Sequence, residues 1–315
     1  MKEYEIIIEN LTKVYSNGTK AVDDLNLKVR KEELLGFLGP NGAGKTTTIK
    51  MIAGLLKPTS GRIIIAGEEL RNGSSEYKMK IGVIPQETVI WDNLTVEENA
   101  MLMGRMYDLS RSYLKERVKF LLEELMLYEH RKKLGAQLSG GMKRRLNLIM
   151  GIVHDPEIII CDEPSVGMDP QSRNILWEYL KNLVKKEKKT MILTTHFMEE
   201  ADKLSDRIAI IDHGKLLILD TPENLKKTVG DGDTVILKLE NNARFDFKVL
   251  KDIDDVLEIY GHNSEIRLRV KNAINNLPKI LDILEQANIK PNDIKIRMNT
   301  LEDVFLALTG RELRE

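Results

Sequence analysis

Gly39-Pro40-Asn41-Gly42-Ala43-Gly44-Lys45-Thr46-Thr47 is the stretch on which the reading of this chain turns. It fits the phosphate-binding pattern G-x-x-x-x-G-K-[ST]. The apolar run Leu34-Leu35-Gly36-Phe37-Leu38 precedes it and predicts a buried strand, and residues 46–55 after it predict a helix. The glycines permit positive φ angles and close backbone approach. Successive N–H groups can then turn inward around phosphate oxygens, and the start of the helix adds partial positive charge at the same spot. Lys45 is spaced to reach the β- and γ-phosphates and the Thr46 hydroxyl to sit on Mg2+. A glycine-rich turn that binds nothing is the plain alternative, and it needs no strand before it or helix after it. By itself the loop predicts binding of ATP or GTP and leaves the use of the energy open.

The 315 residues suggest about two domains. With 42% hydrophobic and 31% charged residues, the composition is that of a soluble globular chain with a sizeable core. A net charge of −1 offers no broad basic field, which disfavours nucleic acid as the main partner. The single cysteine, Cys161, follows Ile158-Ile159-Ile160 and reads as a small core residue. It excludes an intramolecular disulfide and a Cys-rich metal site. Met1-Lys2-Glu3-Tyr4-Glu5 lacks the apolar stretch of a signal peptide, and no uncharged run is long enough to span a bilayer. The expectation is a cytoplasmic chain, with any membrane crossing done by another polypeptide.

Strands alternate with helices along the first two thirds, which predicts a mainly parallel α/β sheet. Leu25, Leu27 and Val29 alternate with Asn26, Lys28 and Arg30, and Ile81-Gly82-Val83-Ile84 is a short strand. Helical periodicity runs from Thr95 to about Leu127, broken near residues 108–110. A further helix begins at Ser139. The run at 158–161 reads as a central strand, and Asp169-Pro170 as a helix cap followed by proline at the first helical position. Arg207–Asp212 and Lys215–Leu219 pair across His213-Gly214. Around Gly230-Asp231-Gly232-Asp233 the pattern becomes short-range α+β. Val235, Leu237 and Leu239 alternate with polar residues, as do Phe245, Phe247 and Val249, and then Ile266, Leu268 and Val270. Leu277, Ile280, Leu281, Leu284 and Ala287 form a helical face, and Thr300-Leu301-Glu302-Asp303 resembles a capping box. The expected division is 1–230, with a helical subdomain at about 87–155, and a small α+β domain at 231–315.

Asp162-Glu163, closing the 158–161 run, places two carboxylates at the mouth of a parallel sheet, where ligands bind. Asp162 suits Mg2+, and Glu163, projecting differently, can polarise the water that attacks a γ-phosphate. A solvated acidic turn is the alternative. Leu138-Ser139-Gly140-Gly141-Met142 has serine at a helix cap and two glycines that leave the helix N-terminus bare for an anion.

With that segment lying between the phosphate loop and the Asp-Glu strand, residues 1–225 resemble the nucleotide-binding subunit of ATP-binding cassette (ABC) transporters. The implied fold is a P-loop NTPase of ABC type, α/β, with antiparallel β and helical subdomains, here followed by the small α+β domain. The resemblance implies that Gly39, Pro40, Asn41, Gly42, Ala43, Gly44, Lys45, Thr46 and Thr47 hold the phosphates of ATP. It implies that Gln86 reaches Mg2+ and the attacking water, and that His196 contacts the γ-phosphate. Tyr15 would stack on adenine, though it could equally pack on the early strands. Asp169 would be the acid of the loop linking two active sites. Met142 stands where many members have glutamine, and Val166-Gly167-Met168 replaces a commoner Ala-Leu pattern. Both departures resemble the branch that drives drug, antibiotic or polysaccharide efflux.

The resemblance further implies a head-to-tail dimer, a homodimer in the simplest case. ATP would lie between Lys45 of one copy and Ser139, Gly140 and Gly141 of the other, with an integral membrane permease docked on the helical region. Trp91, Leu94, Met101, Met103 and Tyr107 could dock that permease or belong to the subdomain core. The chain would then sit peripherally on the inner face of the membrane. The competing expectations are a soluble ABC ATPase acting on DNA or ribosomes, which usually has two cassettes or a coiled-coil insertion, and a nucleotide switch that is not a pump.

Overall fold

The structure is a computed structural model that describes residues 3–70, 76–230, 232–239, 250, 253, 255–262, 265–286, 289 and 291–310. Among them lie β1 (Tyr4–Val14), β2 (Lys20–Arg30), β3 (Leu34–Leu38), α1 (Lys45–Ile52), β4 (Ser60–Ile65), β5 (Glu68–Glu69), β6 (Ile81–Ile84), α2 (Val96–Met106), α3 (Arg111–Glu124), α4 (Gly140–Ile152), β7 (Ile158–Asp162), α5 (Pro170–Lys185), β8 (Thr190–Thr195), α6 (Met198–Leu204), β9 (Arg207–Asp212) and β10 (Lys215–Asp220). Then follow α7 (Pro222–Thr228), β11 (Asp233–Leu239), β12 (Val256–His262), β13 (Glu265–Val270), α8 (Ala273–Gln286), β14 (Pro291–Arg297) and α9 (Leu301–Thr309). The chain forms two compact units that part between Pro222 and Glu223.

In the first unit a six-stranded sheet runs β10-β9-β3-β8-β7-β6. Neighbours β9, β3, β8, β7 and β6 are parallel, and β10 turns back antiparallel on the edge. The β9–β10 turn is His213-Gly214, with φ of 47° and 76°, the pair of positive angles that a two-residue hairpin requires. A four-stranded antiparallel sheet, β2-β1-β4-β5, covers one face. Alternation predicts its inner side correctly: Leu25, Leu27 and Val29 are buried, and Asn26, Lys28 and Arg30 are exposed.

The central strands read as unbroken apolar runs because both of their faces are covered. Ile158 and Ile160 of β7, with Ile192 of β8, face the core shared with the antiparallel sheet and α1. Ile159 and Cys161 of β7, with Met191 and Leu193 of β8, face the core shared with α4 and α5. The helical region follows the predicted break: α2 opens on a full capping box at Thr95 and Glu98 and ends at Met106, and α3 starts at Arg111. Of its proposed docking residues, only Trp91 is open, at 38% exposure. Met101 and Met103 pack against the core, and Tyr107 stacks on His154 with centroids 3.7 Å apart.

The second unit has one sheet, β12-β13-β11-β14, all antiparallel, over which α8 closes a separate core containing Val235, Leu237, Leu268, Ile280 and Leu284. The capping box at Thr300 and Asp303 opens α9 as expected, and Gly310 ends it. The predicted alternation of Phe245, Phe247 and Val249, and Ala287 of the helical face, lie outside the described residues. β12 and β14 were not foreseen. Among the described residues both lie at sheet edges, and the alternation of β14 is confined to Ile294-Lys295-Ile296-Arg297 after Pro291-Asn292-Asp293.

Candidate active site

The loops that follow β3, β8, β7 and β6 leave the same edge of the central sheet, and these strands are consecutive neighbours. In sequence the order of groups is phosphate loop, Gln86, Asp162-Glu163, His196. In space it becomes phosphate loop, His196, Asp162-Glu163, Gln86. The carboxyl edge of a parallel sheet is where α/β folds place ligands.

All of these loops meet at Glu163. Lys45 Nζ is 3.3 Å from Glu163 Oε1, and both side chains are nearly buried. Gln86 Nε2 donates to Glu163 Oε2 at 3.2 Å. His196 Nδ1 lies 3.2 Å from the same oxygen, but without the alignment of a hydrogen bond. That leaves a buried ring nitrogen without a hydrogen-bond partner at the centre of the site. Lys45 Nζ also donates to Gly39 O at 2.7 Å and Pro40 O at 3.1 Å, so the lysine braces its own loop. Burial lowers the Lys45 pKa from its ordinary value, and Glu163 pulls it part of the way back. On β8, the Thr194 hydroxyl donates to Asp162 Oδ1 in a short hydrogen bond and accepts from Glu163 N at 3.1 Å.

Glu163 has φ +48°, in the left-handed region that residues with a side chain rarely occupy. Its neighbours hold it there. Its N–H is taken by Thr194 O and Oγ1, each at 3.1 Å, and its carbonyl accepts from Arg144 Nη2 at 2.7 Å. Strain of this kind persists where surrounding structure enforces it, and it concentrates at functional sites.

The phosphate loop has the conformation its glycines predict. Gly42 and Gly44 have φ of 82° and 100°, and a methyl group on Gly44 would strike the Ala21 carbonyl. Gly44 caps α1 without any side-chain hydrogen bond, and no acid lies in the first turn. The helix start is therefore free to meet an anion. Thr46 and Thr47 are half-buried, and Tyr15, 39% exposed, lies with its hydroxyl 3.2 Å from Thr47 Oγ1.

Ser139 caps α4, its Oγ accepting from Met142 N at 3.3 Å. The two glycines that follow differ. Gly140 is exposed, and nothing lies within 4 Å of where its Cβ would be. Gly141 is buried, and a Cβ there would meet Ser172 Oγ at 2.7 Å and Asp169 Oδ2 at 3.3 Å. The starts of α4 and α5 thus abut through Gly141. Asp169 caps α5, Oδ1 accepting from Ser172 N at 2.9 Å, and this bond is the main cause of its lowered pKa.

Four polar residues near the site escaped the sequence reading. Thr194 stands at the end of an apolar strand. Arg144 and Asn147 sit on the core-facing side of α4, and a charged residue on that face was the available signal. Glu200 is wholly buried, its Oε1 accepting from Trp177 Nε1 at 2.9 Å, and burial raises its pKa.

A profile of the ABC transporter family matches residues 22–166. The linearmycin resistance ATP-binding protein LnrL of Bacillus subtilis is 38% identical over 98% of this chain and 99% of its own length. The chain belongs to the ABC transporter family. A second relative, the doxorubicin resistance ATP-binding protein DrrA of Mycobacterium tuberculosis, is 34% identical over 96% of the chain and 93% of its own length. A solved ATP-binding cassette, a dimer in a post-hydrolysis state with ADP and Pi, superposes with a TM-score of 0.64 at 26% identity, covering 69% of this chain and 98% of that one. This ABC protein is accordingly an ATP-binding subunit with ATPase activity, of the kind that works with membrane permeases and dimerises. No helix among its described residues is long and apolar enough to cross a membrane.

Proposed function

We propose that this ABC subunit powers an efflux permease, that two copies close on ATP, and that Glu163 is the base of hydrolysis. The observation that carries the reading is the meeting of Lys45, His196 and Gln86 on one buried carboxylate at the edge of a parallel sheet. The relatives named above are resistance proteins and a further one, the Nod factor export ATP-binding protein I of Cupriavidus metallidurans, is an export protein, which supports the outward direction.

The chemistry follows from these residues. Lys45 and the N–H groups at the start of α1 bind the β- and γ-phosphates. Glu163 takes a proton from water as the water oxygen bonds to the γ-phosphorus, and the bond to the β-bridging oxygen breaks to leave ADP and inorganic phosphate. The unaligned nitrogen of His196 is at hand for a γ-phosphate oxygen. The donor set suits Mg2+: the Thr46 hydroxyl, the Asp162 carboxylate and the Gln86 amide all offer oxygen. Mg2+ commonly takes one or two carboxylates and fills its shell with phosphate oxygens and water. When bound it neutralises charge on the triphosphate.

Exposed Ser139 and Gly140, at a helix start with no acid in its first turn, would meet the γ-phosphate held by a second copy, and Asp169 would lie at the same seam. Tyr15, beside Thr47, would stack on adenine. The permease would dock beside exposed Val89 and Trp91, close in sequence to Gln86, and would hold the subunit at the inner membrane face. Residues 231–315, with a core of their own, would assist dimerisation or regulation.

The test is a comparison of wild type with Ser139→Arg. The variant should bind ATP as a monomer yet fail to close and turn over. Turnover by a variant that stays monomeric at every ATP concentration would overturn the paired site. Co-purification of a membrane protein encoded alongside the chain tests the transport reading.

A further inference from the structure

We propose that Arg144 is a positioning residue that ties the Ser139 end of α4 to Glu163 and to the loop carrying Gln86, an inference that rests on reading Glu163 as the base. Arg144 is 5% exposed. Its guanidinium donates to four backbone carbonyls and to none of the acids around it. Nε donates to Pro164 O at 2.9 Å, and Nη2 to Glu163 O at 2.7 Å. Nη1 donates to Pro85 O at 3.2 Å and, in a shorter bond, to Gln86 O. One planar cation therefore spans two loops that are 77 residues apart in sequence at Gln86 and Glu163.

Two neighbouring features show that the span is built. Asn147, one turn along α4, accepts from Val89 N at 3.2 Å and donates to Pro85 O at 3.3 Å, fastening the far side of the Gln86 loop. Gly151, another turn on, lets α4 lie directly against β6, since a methyl there would sit 2.9 Å from Val83 O. Gly82 of β6 is equally intolerant, because its Cβ would run into Gly151 O. With α4 held this close, Arg144 reaches the end of β6 on one side and the end of β7 on the other.

The bond to Glu163 O matters most, because Glu163 is left-handed at φ +48°. Thr194 holds that residue by its N–H and Arg144 by its carbonyl. Releasing one side lets the backbone relax toward an ordinary conformation and swings the carboxylate off its line. Arg144 also shares a helix with Ser139, so any shift of the α4 start, as a second subunit engages it, is felt at the chain's own base and at Gln86. Lysine is a poor replacement, since its three donors sit on one nitrogen whereas Arg144 reaches four carbonyls from three separate nitrogens of a planar fork.

The experiment measures ATP affinity and turnover for Arg144→Lys and Arg144→Gln in the full-length chain, alone and combined with Glu163→Gln. Rates are normalised to the folded fraction read by near-UV circular dichroism, so a poorly folding variant still reports. None of the partners of Arg144 lies in Gly39–Thr47, and its loss only releases the Glu163 carboxylate from its place beside Lys45, so ATP affinity should not weaken and the Kd should lie between wild type and about tenfold tighter. The kcat should fall on the order of 10²-fold, the usual cost of a misplaced catalytic group. With Glu163 already changed to Gln, Arg144→Lys should add less than about twofold. A wild-type kcat per folded molecule, a matching loss of affinity, or the same factor in both backgrounds would overturn the proposal. Unimpaired turnover by Glu163→Gln alone would instead remove the base itself. Slow Glu163→Gln beside normal Arg144→Lys would remove only the positioning role.

Discussion

Changing Glu163 to Gln should slow hydrolysis and, less obviously, tighten ATP binding. Lys45 Nζ and Glu163 Oε1 are 3.3 Å apart in a nearly dry site. At an effective dielectric of about 20 their gross attraction is roughly 5 kcal/mol. Desolvation of both groups offsets much of it. To bind a γ-phosphate, Lys45 exchanges this carboxylate for phosphate oxygens, which restores most of the attraction. What remains uncompensated is the Glu163 charge, now left facing a triphosphate. An isosteric amide removes that repulsion and keeps the contact with Gln86. We expect the Kd for ATP to fall about tenfold, equal to about 1.4 kcal/mol. Turnover should drop by roughly 10²- to 10⁴-fold. The measurement is titration calorimetry with Ser139→Arg present in both proteins, so that dimer closure does not add to the affinity. An unchanged or weaker Kd would show that the ion pair does not compete with the nucleotide.

The remaining predictions concern packing, charge and domain structure. Gly141→Ala must part α4 from α5, because its methyl would sit 2.7 Å from Ser172 Oγ, and it should cost about 1–3 kcal/mol. Gly140→Ala meets nothing within 4 Å and should change stability by no more than about 0.5 kcal/mol; calorimetric melting that ranks the two in reverse would refute the packing argument. Glu200 binds its proton more tightly folded than unfolded, since burial raises its pKa above the ordinary 4.5. Its contribution to stability is therefore full below that value and is lost as pH rises through the raised one. Glu200→Gln cannot ionise, so its Tm relative to wild type should climb as pH rises above the ordinary 4.5, and parallel curves would sink the assignment. Deleting residues 232–315 should leave ATP affinity unchanged while weakening dimer formation, as read by light scattering; normal dimers would remove that role from the second unit.

Much of the first unit was legible because its signals are short-range. The strand, glycine loop and helix of residues 34–52 need only neighbours in sequence, and the apolar runs of β7 and β8 announce strands covered on both faces. The groups that meet at Glu163 were named from the sequence, but their meeting was not visible. It depends on β8 inserting between β3 and β7, so that His196 arrives beside the phosphate loop. Arg144 was missed because a cation that donates only to backbone carbonyls has no partner side chain to betray it. The stripe of Trp91, Leu94, Met101, Met103 and Tyr107 stayed open between a docking surface and subdomain core, because helical spacing does not separate the two; Met101 and Met103 are half-buried and pack against the core. In the second unit β12 and β14 were hidden by lying at edges among the described residues, where polar residues such as exposed Asn292 and half-buried Asp293 blur the two-residue period.

The sharing of single strands between two cores has a mechanical consequence. Ile158, Ile160 and Ile192 grip one layer while Ile159, Cys161, Met191 and Leu193 grip the other. The bases of the loops bearing Asp162, Glu163 and His196 are thus clamped from above and below, like planks nailed to two beams. An interior packed at crystal density does not yield by small degrees. Whatever stroke this machine delivers must come from parts hinged to that floor, and the floor itself stays level throughout the cycle.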